Sequence, residues 1–339
     1  MKHWPFFFLI LLASCDTSNK QKIIFKEQTI AVTNLKTLAF GSCNKMVMPM
    51  EIWESIAAQN ADIFCWTGDI IYPDGPWRVN HDIDRIENHY AAMQQNEFYK
   101  LVSDHTPIIG IYDDHDFGSK NGGKEYIHKS ETQKLLLDFL GEPLQSVRRK
   151  QEGIYTSYRF TSDNHIVSII LLDTRYGYVW EGDQPHAMDA AQWKWLHQTL
   201  ENDTVSTVTI IASGYAVIPT GYGEEGWYET ADRQKLLQLL EADDCKNFIF
   251  LTGDRHFGEI SVLNNNENKN FVEVLSSGLT HYAENTNPAE KNSYRVGDKF
   301  IDRNFGLLSF HLNDSNAYVN CMIKNVTGET VRSHKLMIK

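Results

Sequence analysis

Asp113-Asp114-His115-Asp116 sets three carboxylates around one imidazole, directly after the apolar run Pro107-Ile108-Ile109-Gly110-Ile111-Tyr112. Like charges crowded at a strand end repel one another, so something must offset that cost. Four further polar clusters also follow apolar runs. Gly41-Ser42-Cys43-Asn44 follows Leu38-Ala39-Phe40, and Gly68-Asp69-Ile70-Ile71-Tyr72 follows Asp62-Ile63-Phe64-Cys65-Trp66-Thr67. Asp173-Thr174-Arg175 follows Leu171-Leu172, and Asp254-Arg255-His256 follows Phe248-Ile249-Phe250-Leu251-Thr252-Gly253. Taken singly, each has a bland explanation: Gly-Asp makes turns, Asp caps helices, and a cysteine after a strand packs in the core. Together they offer carboxylates, a phenol, a thiol and imidazoles, which chance capping does not explain. In open α/β sheets the carboxyl ends of strands line the ligand crevice, so the five clusters can converge on one site.

Carboxylates gather where a metal ion cancels their repulsion. Oxygen ligands suit Mg, Ca, Mn or ferric iron, while thiolate and imidazole suit softer transition metals. A mixed set therefore points to two metals of different character. Two ions about 3.5–4 Å apart can clamp a phosphoryl group and lower the pKa of a bridging water to near 7. Asp69 is the natural bridging carboxylate, and His115, beside Asp114, is placed to protonate a leaving oxygen.

The elements that must position these residues alternate. A helix is expected from about Met50 to Gln59, and Ile83, Ile86, Tyr90 and Met93 fall at helical spacing. A third helix runs through Leu135–Leu140 and is closed by Gly141, with Pro143 beyond. Tyr155–Phe160 and His165–Leu172 read as consecutive strands, followed by a helix on Trp193, Leu196 and Leu200 and a strand at Thr207–Ala212. Leu236, Leu237 and Leu240 mark another helix; Asn247–Leu251, Phe271–Leu275, Gly306–His311 and a C-terminal pair read as strands. Alternation early and consecutive strands late predict layered α and β, with mixed sheets covered by helices.

The chain of 339 residues is 42% hydrophobic, which suffices for one sizeable core. Its net charge of -12 repels phosphate backbones, so no nucleic-acid partner is expected, and a small phosphorylated substrate would need a local cation. Lys2 and His3 precede Trp4-Pro5-Phe6-Phe7-Phe8-Leu9-Ile10-Leu11-Leu12, a charged start and an apolar core too short to span a membrane. The run ends in Leu12-Ala13-Ser14-Cys15, which resembles the bacterial lipobox. Residues 1–15 are thus expected to be a lipoprotein signal with Cys15 acylated, 16–30 a polar tether and 31–339 one catalytic domain. The expected location is an exported monomer, lipid-anchored to a bacterial membrane, periplasmic or at the cell surface. Cys43, Cys65, Cys245 and Cys321 cannot be paired from sequence. Gly221–Tyr228, rich in glycine and aromatics, and the polar stretch His281–Asp298 are candidate mobile loops over the site. Glu224 and Glu225 at its mouth would favour diesters over heavily charged monoesters.

Gly41-Ser42-Cys43, Gly68-Asp69-x-x-Tyr72, Asp113-Asp114-His115-Asp116, Leu172-Asp173-Thr174-Arg175 and Gly253-Asp254-Arg255-His256 resemble the motif set of the alkaline phosphatase D (PhoD-like) family of calcineurin-like metallophosphoesterases. Asp232-Arg233, Ser276-Ser277-Gly278-Leu279-Thr280-His281 and Asn304-Phe305-Gly306 extend the likeness, which runs in order from about residue 37 to 311. The resemblance implies an α/β fold, a four-layer αββα sandwich of two mixed sheets flanked by helices. It implies that Cys43, Asp69, Tyr72 and His256 hold one metal, typically Fe(III). Asp69, Asp114 and Asp254 would hold a second, divalent ion (Ca, Mn, Zn or Mg), with Asp113 as a further ligand. His115 would be the catalytic histidine. Arg175 would be a catalytic phosphate clamp, unless it pairs with Asp173, and Arg255 a weaker substrate contact. The implied activity is hydrolysis of phosphomonoesters, phosphodiesters or both. The alternative is a lipoprotein that keeps the fold and binds phosphorylated ligands without catalysis. Two features depart from the family: no extra N-terminal β domain fits before Leu38, and no twin arginine precedes the apolar run.

Overall fold

The computed structural model describes residues 21–74, 82–222, 226–245, 247–264, 269–284, 291–313 and 316–338. The first sheet is built around β1 (Thr37–Gly41), β2 (Ile63–Thr67) and β3 (Ile108–Ile111), three parallel neighbours. β2 and β3 are buried at every position, as short apolar runs covered on both faces require. On the other side of β1 lies an antiparallel meander of β12 (Asn304–His311), β13 (Tyr318–Asn325) and β14 (Thr330–Met337). The second sheet has the order β10-β11-β9-β8-β5-β4, from Gly258–Asn264, Asn270–Ser276, Asn247–Thr252, Ser206–Ala212, His165–Leu171 and Thr156–Ser162. Its four central strands are parallel and its two edges antiparallel. A hairpin of β6 (Val179–Glu181) and β7 (Gln184–His186) stands apart.

The layering follows from the two-residue period of strands. Val167, Ile169 and Leu171 of β5, Val208 and Ile210 of β8, Ile249 and Leu251 of β9 and Val272 and Val274 of β11 join the core between the sheets. Their alternates Ile170, Ile211, Phe248, Phe250 and Phe271 face a second cluster with Trp193, Leu196 and Leu200 of α6 (Ala190–Glu201) and Leu236 and Leu240 of α7 (Arg233–Ala242). Against the first sheet pack α1 (Ile52–Ala57), α2 (Ile83–Gln95), α3 (Glu97–Ser103), the single turn α4 (Asp114–Phe117) and α5 (Lys129–Phe139). Trp53 of α1 meets Phe64 and Trp66 of β2 with ring centroids 5.1 and 5.2 Å apart. This is the expected four-layer αββα arrangement of two mixed sheets flanked by helices.

Several expectations shift. The expected helix from Met50 to Gln59 is the shorter α1. The helix on Ile83–Met93 is followed at once by α3, because Asn96 accepts the Phe98 and Tyr99 N–H groups at 3.0 and 3.1 Å and restarts the chain. β10 had no apolar run to mark it, since Glu259 and Ser261 are buried polar residues within it. Residues 21–30, expected to be tether, have no regular structure yet dock on the domain. Gln28 donates to the Ile108 carbonyl and accepts the Ile108 N–H at 3.1 Å, covering the edge of β3. Cys15 lies outside the described residues. No described helix is long and apolar enough to cross a membrane. Cys43, Cys65, Cys245 and Cys321 are all free thiols.

Candidate metal centre

The carboxyl ends of β1, β2 and β3 lie side by side because these strands are parallel neighbours, and they deliver Cys43, Asp69 and the Asp113–Asp116 cluster to one edge. β9 of the second sheet delivers Asp254 and His256. The local backbone is strained there. Seven described non-glycine residues have positive φ, and four of them are Cys43, Asp69, Asp254 and His256, at 61, 52, 71 and 58°. Holding L-residues in this region costs about 1–3 kcal/mol each, so the packing around them must over-determine the geometry. Gly68 makes room for it: φ is +96°, and a Cβ there would stand 2.4 Å from the Asp113 Cβ.

Asp116 is the staple of the loops. Its Oδ1 accepts the Asp113 N–H at 2.6 Å and the Asp69 N–H at 3.3 Å, and its Oδ2 accepts the Ile70 N–H at 3.1 Å. It neither reaches His115 nor serves only as a local cap; it ties the second motif to the third. His115 is instead oriented by Asp74, whose Oδ1 lies 2.7 Å from Nδ1, leaving Nε2 4.0 Å from Asp114 Oδ1. The Tyr72 ring packs on His115 with centroids 4.1 Å apart and planes tilted by 36°. Sequence reasoning missed Asp74, which follows Tyr72 by two residues in an irregular segment and carries no signal of its own.

Two groups of metal-ligating atoms form, each within 4.8 Å: Cys43, Asp69 and His256, and Asp69, Asp114 and His115. Asp69 is common to both. The Tyr72 hydroxyl donates to Asp69 Oδ2 at 2.9 Å, and the Cys43 thiol lies 3.5 Å from the same oxygen. His115 joins the second group, and Asp254 is near enough to Cys43 and Asp113 to act on both electrostatically.

The site's electrostatics ask for cations. Burial lifts Asp69 to about 6; the charge on His115 opposes this and Asp114 adds to it. Burial likewise pushes Asp113, Asp116 and the Cys43 thiol well up, each with added repulsion from Asp69. Burial disfavours charge on His115, yet Asp69, Asp74 and Asp114 outweigh it and raise it to about 10. Burial, then His281 and His115, lower His256 to about 3, so its ring is neutral, the form that binds metal. Asp69 Oδ1, Asp113 Oδ2, Asp114 Oδ1 and His281 Nδ1 are buried with no hydrogen-bond partner among the described residues. Orphaned buried carboxylate oxygens are costly, and with a thiol and a neutral imidazole beside them they fit a metal pair.

Both candidate substrate-binding arginines pack against neighbouring side chains. Arg175 is 0% exposed and its Nε donates to Asp113 Oδ1 at 2.7 Å. Asp173 gathers the Ile154, Arg175 and Tyr176 N–H groups and the Tyr112 hydroxyl at 2.6 to 2.9 Å, so the Arg175 backbone is held by Asp173 while its side chain reaches Asp113. Asp113 thus gives one oxygen to a guanidinium. Arg255 lies with its guanidinium 4.8 Å from the Tyr222 ring centroid. In the expected loop Gly221–Tyr228, on either side of residues 223–225, which lie outside the described residues, Tyr222 and Trp227 are buried; Tyr222 bonds Glu259, and Trp227 Nε1 donates to Ser213 Oγ at 2.9 Å. Glu224 and Glu225 lie outside the described residues. From the other expected loop, His281 sits inside the site, its ring centroid 4.4 Å from His256 and 5.1 Å from Tyr72.

No protein-family model and no curated protein matches the chain. Solved structures do. One described as the structure of PhoD superposes with a TM-score of 0.63 at 17% identity, over 91% of this chain and 74% of that one. GAP50, the anchor in the inner membrane complex of Plasmodium, superposes at 0.59 and 14% identity, over 91% and 90%. Purple acid phosphatase PPD1 from yellow lupin (Lupinus luteus) seeds superposes at 0.61 and 14% identity over 90% of this chain, which spans about half (54%) of that protein. Around this cluster of strand ends, the chain has the two-sheet fold of the PhoD and purple acid phosphatase structures.

Proposed function

We propose that this protein is an exported, metal-dependent phosphoester hydrolase acting on small phosphorylated substrates. The observation that carries the reading is the pair of ligand groups sharing Asp69, with orphaned oxygens on Asp69 and Asp114 beside the His115–Asp74 pair. Cys43, Asp69, Tyr72 and His256 would hold one ion, Fe(III) in this reading; Asp69, Asp114 and Asp254 would hold a divalent ion. When bound, such ions neutralise phosphoryl charge and make water a nucleophile near neutral pH. The chain's own residues do the rest. Asp74 holds the Nδ1 edge of His115, which keeps a proton at Nε2 for the departing ester oxygen. Asp116 and Asp113–Arg175 fix the two loops that carry the carboxylates.

Export and anchoring rest on the N-terminal sequence alone: the short apolar run ending in Leu12-Ala13-Ser14-Cys15 supports acylation at Cys15. Metabolic labelling with a fatty acid, lost in Cys15→Ser, tests that part.

The activity is tested by kcat/KM on an aryl phosphate, a bis-aryl phosphate and a carboxyl ester, with metal analysis on the same preparation. Turnover of a phosphate ester, abolished in Asp69→Asn, is expected; a protein active only on the carboxyl ester, or inactive with both metals bound, overturns the reading. The second reading, a phosphate-ligand-binding lipoprotein without catalysis, draws on the likeness to GAP50, an anchor protein by its description. It predicts no turnover at any metal loading.

A further inference from the structure

Arg175 gives its Nε to Asp113, and Lys45, an exposed cation two residues after Cys43, is a further candidate to grip substrate. We propose that Lys45 and His281 form the phosphate-oxygen clamp of this site, on the side of Cys43 and His256. The inference rests on the phosphoester reading and names the residues that would meet its substrate.

The two residues come from different sheets but are presented as one unit. Lys45 follows Cys43 on the loop after β1; His281 lies on the loop after β11. Thr280 joins the loops. Its Oγ1 accepts the Lys45 N–H at 2.6 Å and lies 3.2 and 3.4 Å from the Lys45 and Cys43 carbonyls. The Leu279 N–H donates to the Ser42 carbonyl at 3.2 Å. Both side chains then converge on Tyr72, which already binds Asp69: Lys45 Nζ is 6.0 Å from its ring centroid and the His281 ring meets it edge-on.

Chemistry separates the pair from the ligands and from structural cations. Lys45 is exposed, and no carboxylate among the described residues pairs with it. Arg148 and Arg175, by contrast, are buried against Glu142 and Asp113. A solvated lysine without a carboxylate partner, its Nζ 6.0 Å from the Tyr72 ring centroid in a protein of charge -12, is a point charge available to an incoming oxyanion. His281 belongs to neither ligand group, yet its half-buried ring lies against both Tyr72 and His256. An imidazole there adds a directional contact to the charge that Lys45 supplies. Because that charge attracts a dianion more than a monoanion, the clamp favours monoesters over diesters.

The test is calorimetric binding of inorganic phosphate to the metal-loaded full-length protein, with metal content measured on each sample. Lys45→Met and His281→Gln should each weaken phosphate binding by about tenfold or more while metal content stays at the parent level. Thr280→Val, a positioning change, should weaken it less. Lys45→Met should also raise KM more for an aryl phosphate than for a bis-aryl phosphate. Parental phosphate affinity in both Lys45→Met and His281→Gln overturns the proposal. So does metal loss in His281→Gln, which would make that residue a ligand, or a parent protein that binds no phosphate. Phosphate binding is read without turnover, so an inactive protein that binds phosphate through these residues would refute the hydrolase reading and leave the clamp standing.

Discussion

Arg175 Nε donates to Asp113 Oδ1 at 2.7 Å, and neither side chain is more than 1% exposed. The pair joins the loop after β5 to the loop after β3, one from each sheet. Its burial makes it a cross-brace: removing one partner leaves the other charge stranded in a low-dielectric interior. Arg175→Met is therefore expected to destabilise the fold by ~3–5 kcal/mol in denaturant unfolding. Loss of phosphate affinity without loss of stability would instead return Arg175 to the substrate.

His115 and Asp74 make a second testable pair. Removing His115 as Gln should cut kcat by about 10²–10⁴-fold, the range for a lost general acid. Asp74→Asn keeps the hydrogen bond but removes one of the three carboxylates that hold the imidazole charged. The limb of the kcat–pH profile that reports His115 should move to lower pH in this variant, with metal content unchanged. An unmoved limb would mean that Asp74 only fills space.

Metal removal should loosen the fold as well as stop turnover. The orphaned oxygens on Asp69, Asp113 and Asp114 and their mutual repulsion are costs that bound cations offset. A metal held at 100 times its Kd adds about 2.7 kcal/mol to stability, so chelation should lower Tm by several degrees. Asp69→Asn, which removes half of the carboxylate common to both groups, should lose most of that metal-dependent increment.

Glu273 supplies a pH prediction away from the centre. Its carboxylate accepts the Val217 and Ile218 N–H groups at 3.0 and 2.6 Å and the Thr252 hydroxyl at 2.7 Å. Burial nonetheless raises it from 4.5 to about 7. A raised folded-state value means that the folded protein holds the proton longer, so this contribution is complete below pH 4.5 and is lost as pH rises through 7. Glu273→Gln keeps an oxygen for the two N–H groups and cannot titrate. The difference between the parent and variant stability curves should slope between pH 4.5 and about 7; parallel curves would show that Glu273 stays ionised.

Local pattern determined a great deal of this protein. Apolar runs such as Phe248–Leu251 and Ile63–Trp66 mark buried parallel strands, because burial on both faces leaves no polar alternate. The polar clusters after those runs mark strand ends, so the order of elements and most of the side chains gathered at the candidate metal centre are legible in the chain. Asp74 and β10 were not, since neither an irregular segment nor a strand with buried Glu259 has a periodic signal. Only the tertiary structure decided which partner each polar residue takes. Arg175 had Asp173 two residues away and found Asp113, 62 residues distant; His115 had Asp116 adjacent and found Asp74, 41 residues distant. Periodicity encodes which face a residue shows, but charge pairing follows from which strand ends become neighbours. That depends on the order β1-β2-β3 in one sheet and β9-β8-β5 in the other, and on how the two sheets meet.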